Sequence, residues 1–440
     1  MYIEISLEGV MYFGTTTYRV WKKEWKNPSL LLAGIGISNL GDWIYLIALN
    51  LMILNVYGSA AAVAGLYLLK PFASLLTSFW SGSIIDRFDK RRIMIMLDVI
   101  RAGLVAFIPF FSSILLIYLC VLLVNMGSSF FHPTATTYIT ELVPGKRRKR
   151  FNSLHNLMSS GAFVIGPAIA GALVFIGSPE LAIYMNALSF LISGLIIVFL
   201  PGMDTKGLPA GERLDLQVIK EDWRTVLSFS KKAAYVMGVY ALFEITMVFT
   251  AALDSTEVVF TRRVLGLTEG AYGALVSIAG IGFIAGSVFV TIFADKIPLR
   301  HLIGIGTLMS AVGYLIYAFS TSLVGGSVGF FILSFALAAG NTGFITFYQN
   351  NLPVGIMGRV ISIINVFQSL FQIVLIIVIG LAVEVFTIQT AVIAGSFLML
   401  LIAITLVWLT TLPTKTKYFM DSKLTSELRR KENARKNGTT

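Results

Sequence analysis

Gly82-Ser83-Ile84-Ile85-Asp86-Arg87-Phe88-Asp89-Lys90-Arg91-Arg92 fills the gap between two long apolar runs, 60–85 and 93–111. Its order of acid, base, then further base returns as Asp295-Lys296-Ile297-Pro298-Leu299-Arg300-His301, at an offset of 209 residues. The same 209 residues separate the apolar run that begins at 93 from the one that begins at 302. A fixed offset shared by a charged loop and its flanking runs reads as two halves of one ancestral unit, as in carriers built from parallel six-helix repeats.

Working outward, apolar runs occur at 30–56, 60–85, 93–111, 114–139, 154–176 and 181–200, and after a polar stretch at 233–260, 271–294, 302–320, 323–347, 360–385 and 390–412. Each is near the roughly 20 residues that carry a helix across about 30 Å of hydrocarbon. The composition agrees: 56% hydrophobic, 13% charged, mean hydropathy +0.81, far from the roughly 25% charged of soluble domains. The expected fold is all-α and membrane-integral, with twelve transmembrane helices in two pseudo-symmetric bundles. The expected divisions are an arm at 1–28, a six-helix bundle at 29–200, a linker at 201–232, a second bundle at 233–412 and a basic tail at 413–440. Of the 34 lysines and arginines, 30 fall at the chain ends or in every second gap. Arg262 and Arg263 lie in a gap of the other parity, and Lys70 and Arg101 lie inside runs. Because cytoplasmic loops collect Lys and Arg, both termini are expected in the cytoplasm of a cell (plasma or inner) membrane. The net charge of +11 follows from this bias and from anionic headgroups, not from a nucleic-acid partner.

Several classes are disfavoured. The arm carries Glu4 and Glu8 and lacks the basic-then-apolar order of a cleaved leader, so the first run is expected to be retained. Trp21 and Trp25, among Lys22, Lys23 and Lys26, suit a short segment at headgroup level. The single cysteine, Cys120, has no partner for a disulfide. His132, His155 and His301 are not spaced as metal ligands, and no metal or other cofactor is expected. No Gly-x-x-x-x-Gly-Lys-Ser/Thr loop suggests ATP drive, and no nucleophile, base and acid set suggests an enzyme. The linker is too short for a sensing domain, which argues against a receptor; a channel would not need two gates.

The Gly82 to Arg92 loop resembles the signature loop of the major facilitator superfamily, and the twelve runs and two halves extend that resemblance over nearly all of the chain. Asp89 stands where that loop usually has glycine, and Thr291 replaces the leading glycine of the second copy, whose gating role is in doubt. Asn39-Leu40-Gly41-Asp42-Trp43, Phe130-Phe131-His132-Pro133, Glu141-Leu142-Val143-Pro144 and Asn152-Ser153-Leu154 resemble the branch of macrolide-efflux and enterobactin-type exporters. In the loop, Gly82 permits close helix approach and Asp86 can face a helix N-terminus. Arg87, Lys90 and Arg91, like Asp295 and Arg300 in the second copy, can pair across the halves, or serve only as topology anchors. Asp98 and Arg101, three residues apart near the basic end of the third run, are expected either to extend that network or to form a static pair. In the fifth run, Gly161, Gly166, Pro167 and Gly171 are similar to the superfamily's antiporter segment, with Ala162 and Ala170 in place of two glycines. The resemblance implies export against protons; the alternative is a bent packing helix.

Charged groups inside the runs need a reason, since an ionised acid at mid-membrane costs about 2.5–3.5 kcal/mol. Asp42 lies about 18 Å into the first run, with Asn39 on the same face, and is the leading candidate for carrying a proton. The competing reading pairs it with Lys70 of the second run. Glu244, at mid-depth in the seventh run, is the second candidate for coupling or for binding a cationic substrate, against a role in helix packing. Asp254 and Glu257, near Arg262 and Arg263 at the outer end of the seventh run, are expected in a surface or outer-gate cluster, and Glu384 at the interface. Asn365, Gln368 and Gln372 share a face of the eleventh run and, with Asn125, are expected either to line the path or to bond between helices. The resulting expectation is a secondary transporter, working as a monomer among membrane lipids, that exports an amphipathic drug, macrolide or siderophore-like molecule against protons. A lipid flippase or an importer of the same fold is the alternative.

Overall fold

A computed structural model describes residues 15–57, 60–203 and 216–419. The readings of Glu4 and Glu8, of the turn at Gly58 and of the tail beyond 419 lie outside the described residues, as do the side chains of Trp21, Lys22, Lys23 and Glu384. The chain runs through α1 (Thr15–Tyr57), α2 (Ala60–Ile85), α3 (Lys90–Phe107), α4 (Ile114–Leu142), α5 (Gly145–Ile176), α6 (Pro179–Val198), α7 (Leu216–Lys232), α8 (Ala234–Asp254), α9 (Glu257–Arg263), α10 (Glu269–Ile292), α11 (Leu299–Phe319), α12 (Leu323–Asn351), α13 (Val354–Val385) and α14 (Ile388–Thr411). No strand occurs among the described residues. Among the described residues, eleven helices (α1, α3, α4, α5, α6, α8 and α10 to α14) are long and apolar enough to cross a membrane. The 26-residue α2 takes the place of the second predicted run.

Each half builds its own core. Leu49, Ile53, Val105, Ile183 and Phe190 pack together in the first, and Tyr314, Tyr317, Phe330, Val392 and Met399 in the second. Phe175, Leu115, Val324 and Phe110 project outward with more than 70% of their surface exposed, an apolar band that suits lipid and not water. In the first half α1 packs on α5 and α6, and α3 on α4 and α6; in the second α10 packs on α12, and α11 on α12 and α14. The halves meet along two related seams, α2 against α13 and α5 against α10 and α12.

Three local departures from the hydropathy reading bear on the site. α1 continues through Pro28, because a single proline removes only one backbone hydrogen bond. Trp25 is buried in a separate cluster of the first half, with Leu31, Tyr138 and Phe151, and Arg147 lies over its ring at 5.9 Å, so protein covers it. The predicted run 233–260 is broken: α8 stops at Asp254 and α9 starts at Glu257. Beyond α9, Gly266 turns the chain at φ +62°, a conformation that suits glycine. Within the linker, α7 is amphipathic and buries Asp222 and Val226.

Candidate functional site

The loops rich in Lys and Arg all lie at one end of the molecule, the basic end, and there the halves are latched. Asp86, at the foot of α2, accepts hydrogen bonds from the Gly358 N–H (2.8 Å), the Arg359 N–H (3.1 Å) and Arg359 Nε (2.8 Å) near the start of α13. The carboxylate thus meets both a cation and two backbone N–H groups in the second turn of α13. Gly82 makes this approach possible, since a Cβ there would lie 2.7 Å from Arg359 Cα. The linker joins in: Asp222 of α7 accepts from Arg87 at 2.6 and 2.9 Å and from Arg359 at 2.7 Å. Burial alone would push the Asp222 carboxyl up, but hydrogen bonds from Arg87 and Ser83 and the charge of Arg359 outweigh it and hold the carboxyl below its ordinary value.

Other members of the loop act within one half. Asp89, where the signature loop has glycine, caps α3 by accepting from the Arg91 N–H at 3.0 Å. Lys90 pairs with Glu141 at 3.0 Å, and the Arg91 guanidinium bonds the carbonyls of Ile197 and Val198 at the end of α6. The second seam is closed mostly without ion pairs. Arg148 donates to the Gln349 carbonyl (2.8 Å), Asn152 to Gln349 Oε1 (2.8 Å), Asn156 to Thr342 (2.9 Å) and Thr291 to Ser153 (3.0 Å). Asp295 is exposed and Arg300 half-buried, and neither forms an ion pair among the described residues.

Asp42 does not pair with Lys70. Lys70 is exposed on α2, whereas Asp42 looks inward to a small pocket shared with Asn39, Arg101, His132, Thr136 and His155. Arg101 thus replaces Lys70 as the cation beside Asp42. It pairs with Asp98, lies between the rings of Phe131 (4.5 Å) and Phe190 (4.2 Å), and threads past Gly127, where a Cβ would meet its stem at 2.9 Å. Both residues of this pair are buried, with side chains no more than 2% exposed. Arg101 stands about 16 Å along α3 from Lys90, so the pair belongs to the Asp42 pocket and not to the loop network near the basic end.

Two further cavities continue from that pocket. Glu244 on α8 opens to a space of about 290 Å³ between the halves, lined also by His132, Thr136, Tyr240, Tyr348 and Asn365. His132 and Thr136 are therefore walls common to the Asp42 pocket and the Glu244 cavity. Met247 and Asn341 in turn join the Glu244 cavity to a larger one of about 620 Å³. Trp43, Asn156 and Phe163 line this space from the first half, and Asp254, Glu257 and Tyr314 from the second. Asp254 and Glu257, expected in a surface or outer-gate cluster, line this cavity, Asp254 exposed and Glu257 half-buried. They stand at the break between α8 and α9, and Arg262 and Arg263 are exposed on α9.

Of the remaining candidates, Asn365 lines the Glu244 cavity, whereas Gln368, Gln372 and Asn125 are half-buried and border none of these three cavities. In α5, Gly166 does pack closely, since a Cβ there would lie 2.5 Å from Trp43 Cβ; Ala162 and Ala170 are buried on the same face. Gly161 and Gly171 meet nothing within 4 Å and take no part in that packing. Pro167 lies within an unbroken α5. His132, Tyr314 and Arg359 are the site residues that sequence patterns underrate; their only signal was polarity inside or beside an apolar run.

The helical architecture, the two latched halves and the internal cavities define a membrane carrier. The sequence profile described as Major Facilitator Superfamily matches residues 31–375 and 257–434, so the chain belongs to that superfamily of small-molecule transporters and is not an enzyme. It is 24% identical over 363 residues to the uncharacterized MFS-type transporter YfiS of Bacillus subtilis, covering 77% of this chain and 82% of that one. It is 25% identical over 343 residues to BacE of Bacillus amyloliquefaciens, provisionally named a bacilysin exporter, covering 77% and 84%. The crystal structure of the human organic anion transporter MFSD10 superposes with a TM-score of 0.72 at 16% identity, covering 87% of this chain and 99% of that one, a likeness of fold.

Proposed function

We propose that this transporter exports an amphipathic small molecule, of drug, macrolide or siderophore-like character, in exchange for protons, by alternating access and as a monomer. The basic end, with both termini, is placed in the cytoplasm, following the Lys and Arg bias. The observation that carries this reading is the chain of cavities: Asp42 and Glu244, one from each half, lie inside membrane-type helices and share His132 as a wall. A carboxyl removed from water is less costly neutral than charged, so each gains by holding a proton in one state and giving it up in the other. The latched basic end and the larger cavity beyond it suit a state that admits solute and protons from outside. The exporter name borne by BacE supports the direction.

The test is flux in proteoliposomes with an imposed pH gradient, using a panel of drugs. Accumulation in inside-out vesicles acidified within, lost in Asp42→Asn at unchanged protein level, supports the reading. Normal gradient-driven flux by Asp42→Asn refutes the proton role. Flux only down a solute gradient, or accelerated uptake in the opposite sense, assigns the chain to a uniporter, flippase or importer instead.

A further inference from the structure

The cavity of about 620 Å³ holds chemistry that proton movement through Asp42 and Glu244 leaves unused. Two carboxyls, Asp254 and Glu257, line it, and none of its described lining residues is basic. Across from them stand aromatic rings of both halves: Trp43 and Phe163, edge to face with centroids 4.9 Å apart, and Phe283 and Phe330. Tyr314 donates its hydroxyl to Asp254, fixing that carboxylate. Glu257 is less well served, for one of its carboxylate oxygens is buried without a hydrogen-bond partner. An acceptor withdrawn from water with no donor costs about 1–3 kcal/mol, more when charged, so Glu257 is incompletely satisfied by the protein itself.

The chemistry that would satisfy it is limited by the surroundings. A bare divalent ion needs about six oxygen ligands, and no group of three or more His, Cys, Asp or Glu able to hold a metal occurs among the described residues. An organic cation needs only a counter-charge and a polarisable wall, because aromatic faces attract it by about 0.5–2 kcal/mol each. The volume of about 620 Å³ falls within the roughly 300–1,000 Å³ of sites for drug-sized ligands. Because the rings come from both halves, an occupant touches both and senses their relative position.

We propose that this cavity is a binding site for a lipophilic organic cation, with Asp254 and Glu257 as its counter-charge and Trp43, Phe163, Phe283 and Phe330 as its apolar wall. The assignment rests on the export reading and names a substrate class for it.

Equilibrium binding to the purified full-length protein in detergent, without any gradient, tests it with two ions of the same shape and opposite charge, tetraphenylphosphonium and tetraphenylborate. The cation binds saturably and at least tenfold more tightly than the anion. Glu257→Gln and Asp254→Asn each weaken cation binding tenfold or more, while Asp295→Asn, which removes an exposed acid, leaves it within twofold. Equal affinity for the two ions, or cation binding unchanged in both cavity variants, overturns the proposal. The comparison of the two ions uses the unaltered protein, so a variant that fails to fold does not decide the result. Cation binding without gradient-driven flux leaves the site standing and removes the export reading; gradient-driven flux of another solute without cation binding does the reverse.

Discussion

Asp86 and Asp295 occupy the same place in the two halves, 209 residues apart, and their surroundings could hardly differ more. The Asp86 side chain is 1% exposed and held by Arg359 and two backbone N–H groups. Asp295 is exposed and makes no ion pair among the described residues. The residues opposite explain the difference. Counting back by the same offset, Arg359 corresponds to Arg150, which is exposed, and Gly358 to Lys149, which donates to the Ile297 carbonyl at 2.8 Å. A lysine in place of Gly358 removes the space through which Asp86 approaches, since even a Cβ at Gly358 would lie 2.6 Å from Asp86 Oδ1. Ser362 and Ser153 also correspond, and there the resemblance survives, for each makes a neutral hydrogen bond across its seam, to Ser81 at 3.2 Å and from Thr291 at 3.0 Å. One seam thus closes with buried ion pairs, and the other, among the described residues, with Arg148 and Lys149 on backbone carbonyls and with neutral hydrogen bonds. Of the two related seams, only one carries a buried ion-pair latch among the described residues.

The largest expected effect separates the two acids directly. Removing one member of a buried charge pair costs about 3–5 kcal/mol, while an exposed side chain changes stability by about 0.5 kcal/mol or less. Asp86→Ala should lower gradient-driven flux more than tenfold with protein level and cation affinity retained, and Asp295→Ala should leave flux within twofold. Equal losses in the two variants would erase the distinction between the loops. A bulky residue is the next probe. Gly82→Val pushes into the Arg359 backbone, at a cost of about 1–3 kcal/mol for overpacking, and should open the α2 and α13 seam. Thr291→Val, which already has side-chain room, should do so much less, as read by cysteine accessibility at position 355.

Smaller changes sharpen the contrast at the neutral seam. Ser153→Ala removes a hydrogen bond worth about 0.5–1.5 kcal/mol, so flux should fall severalfold at most. A tenfold loss would show that this seam also latches. The smallest effect concerns acidity. Because the folded Asp222 carboxyl is held below its ordinary value of 3.8, its stabilising share is complete above that value and is lost only as pH falls through the lower folded one. Docking of α7, read as a distance between spin labels at positions 224 and 88, should therefore stay constant from pH 5 to 8. A change within that window would transfer the tie to another titrating group.

Much of this fold is legible in the sequence because helix length, apolar runs and the bias of Lys and Arg are local properties. The Asp86 loop was legible for the same reason, with its repeat at a fixed offset. Partnership was not. Arg359 stands alone in its gap, and nothing beside it in sequence reveals that Asp86 and Asp222 converge on it. Lys70 lies opposite Asp42 in a hairpin drawn on paper, yet it is exposed and forms no ion pair with Asp42, and Arg101 shares the Asp42 pocket instead. Asp254 and Glu257 look like the rim of a run, because hydropathy averages over the break at which they stand and does not reveal the cavity they line. Gly161 and Gly171 match a motif by type but point to open space, and only Gly166 has a neighbour that demands the absence of a side chain.

The most direct measurement is pulsed electron resonance between spin labels at Phe88→Cys and Gly355→Cys, one on each side of the latch, in a Cys120→Ser background that removes the chain's single native cysteine. With the loop otherwise intact, the expected result is a narrow, short distance. Asp86→Ala should add a longer population, and Asp295→Ala should not. Indistinguishable distributions in all three proteins, or the same lengthening in both variants, would contradict a single charged latch at the basic end.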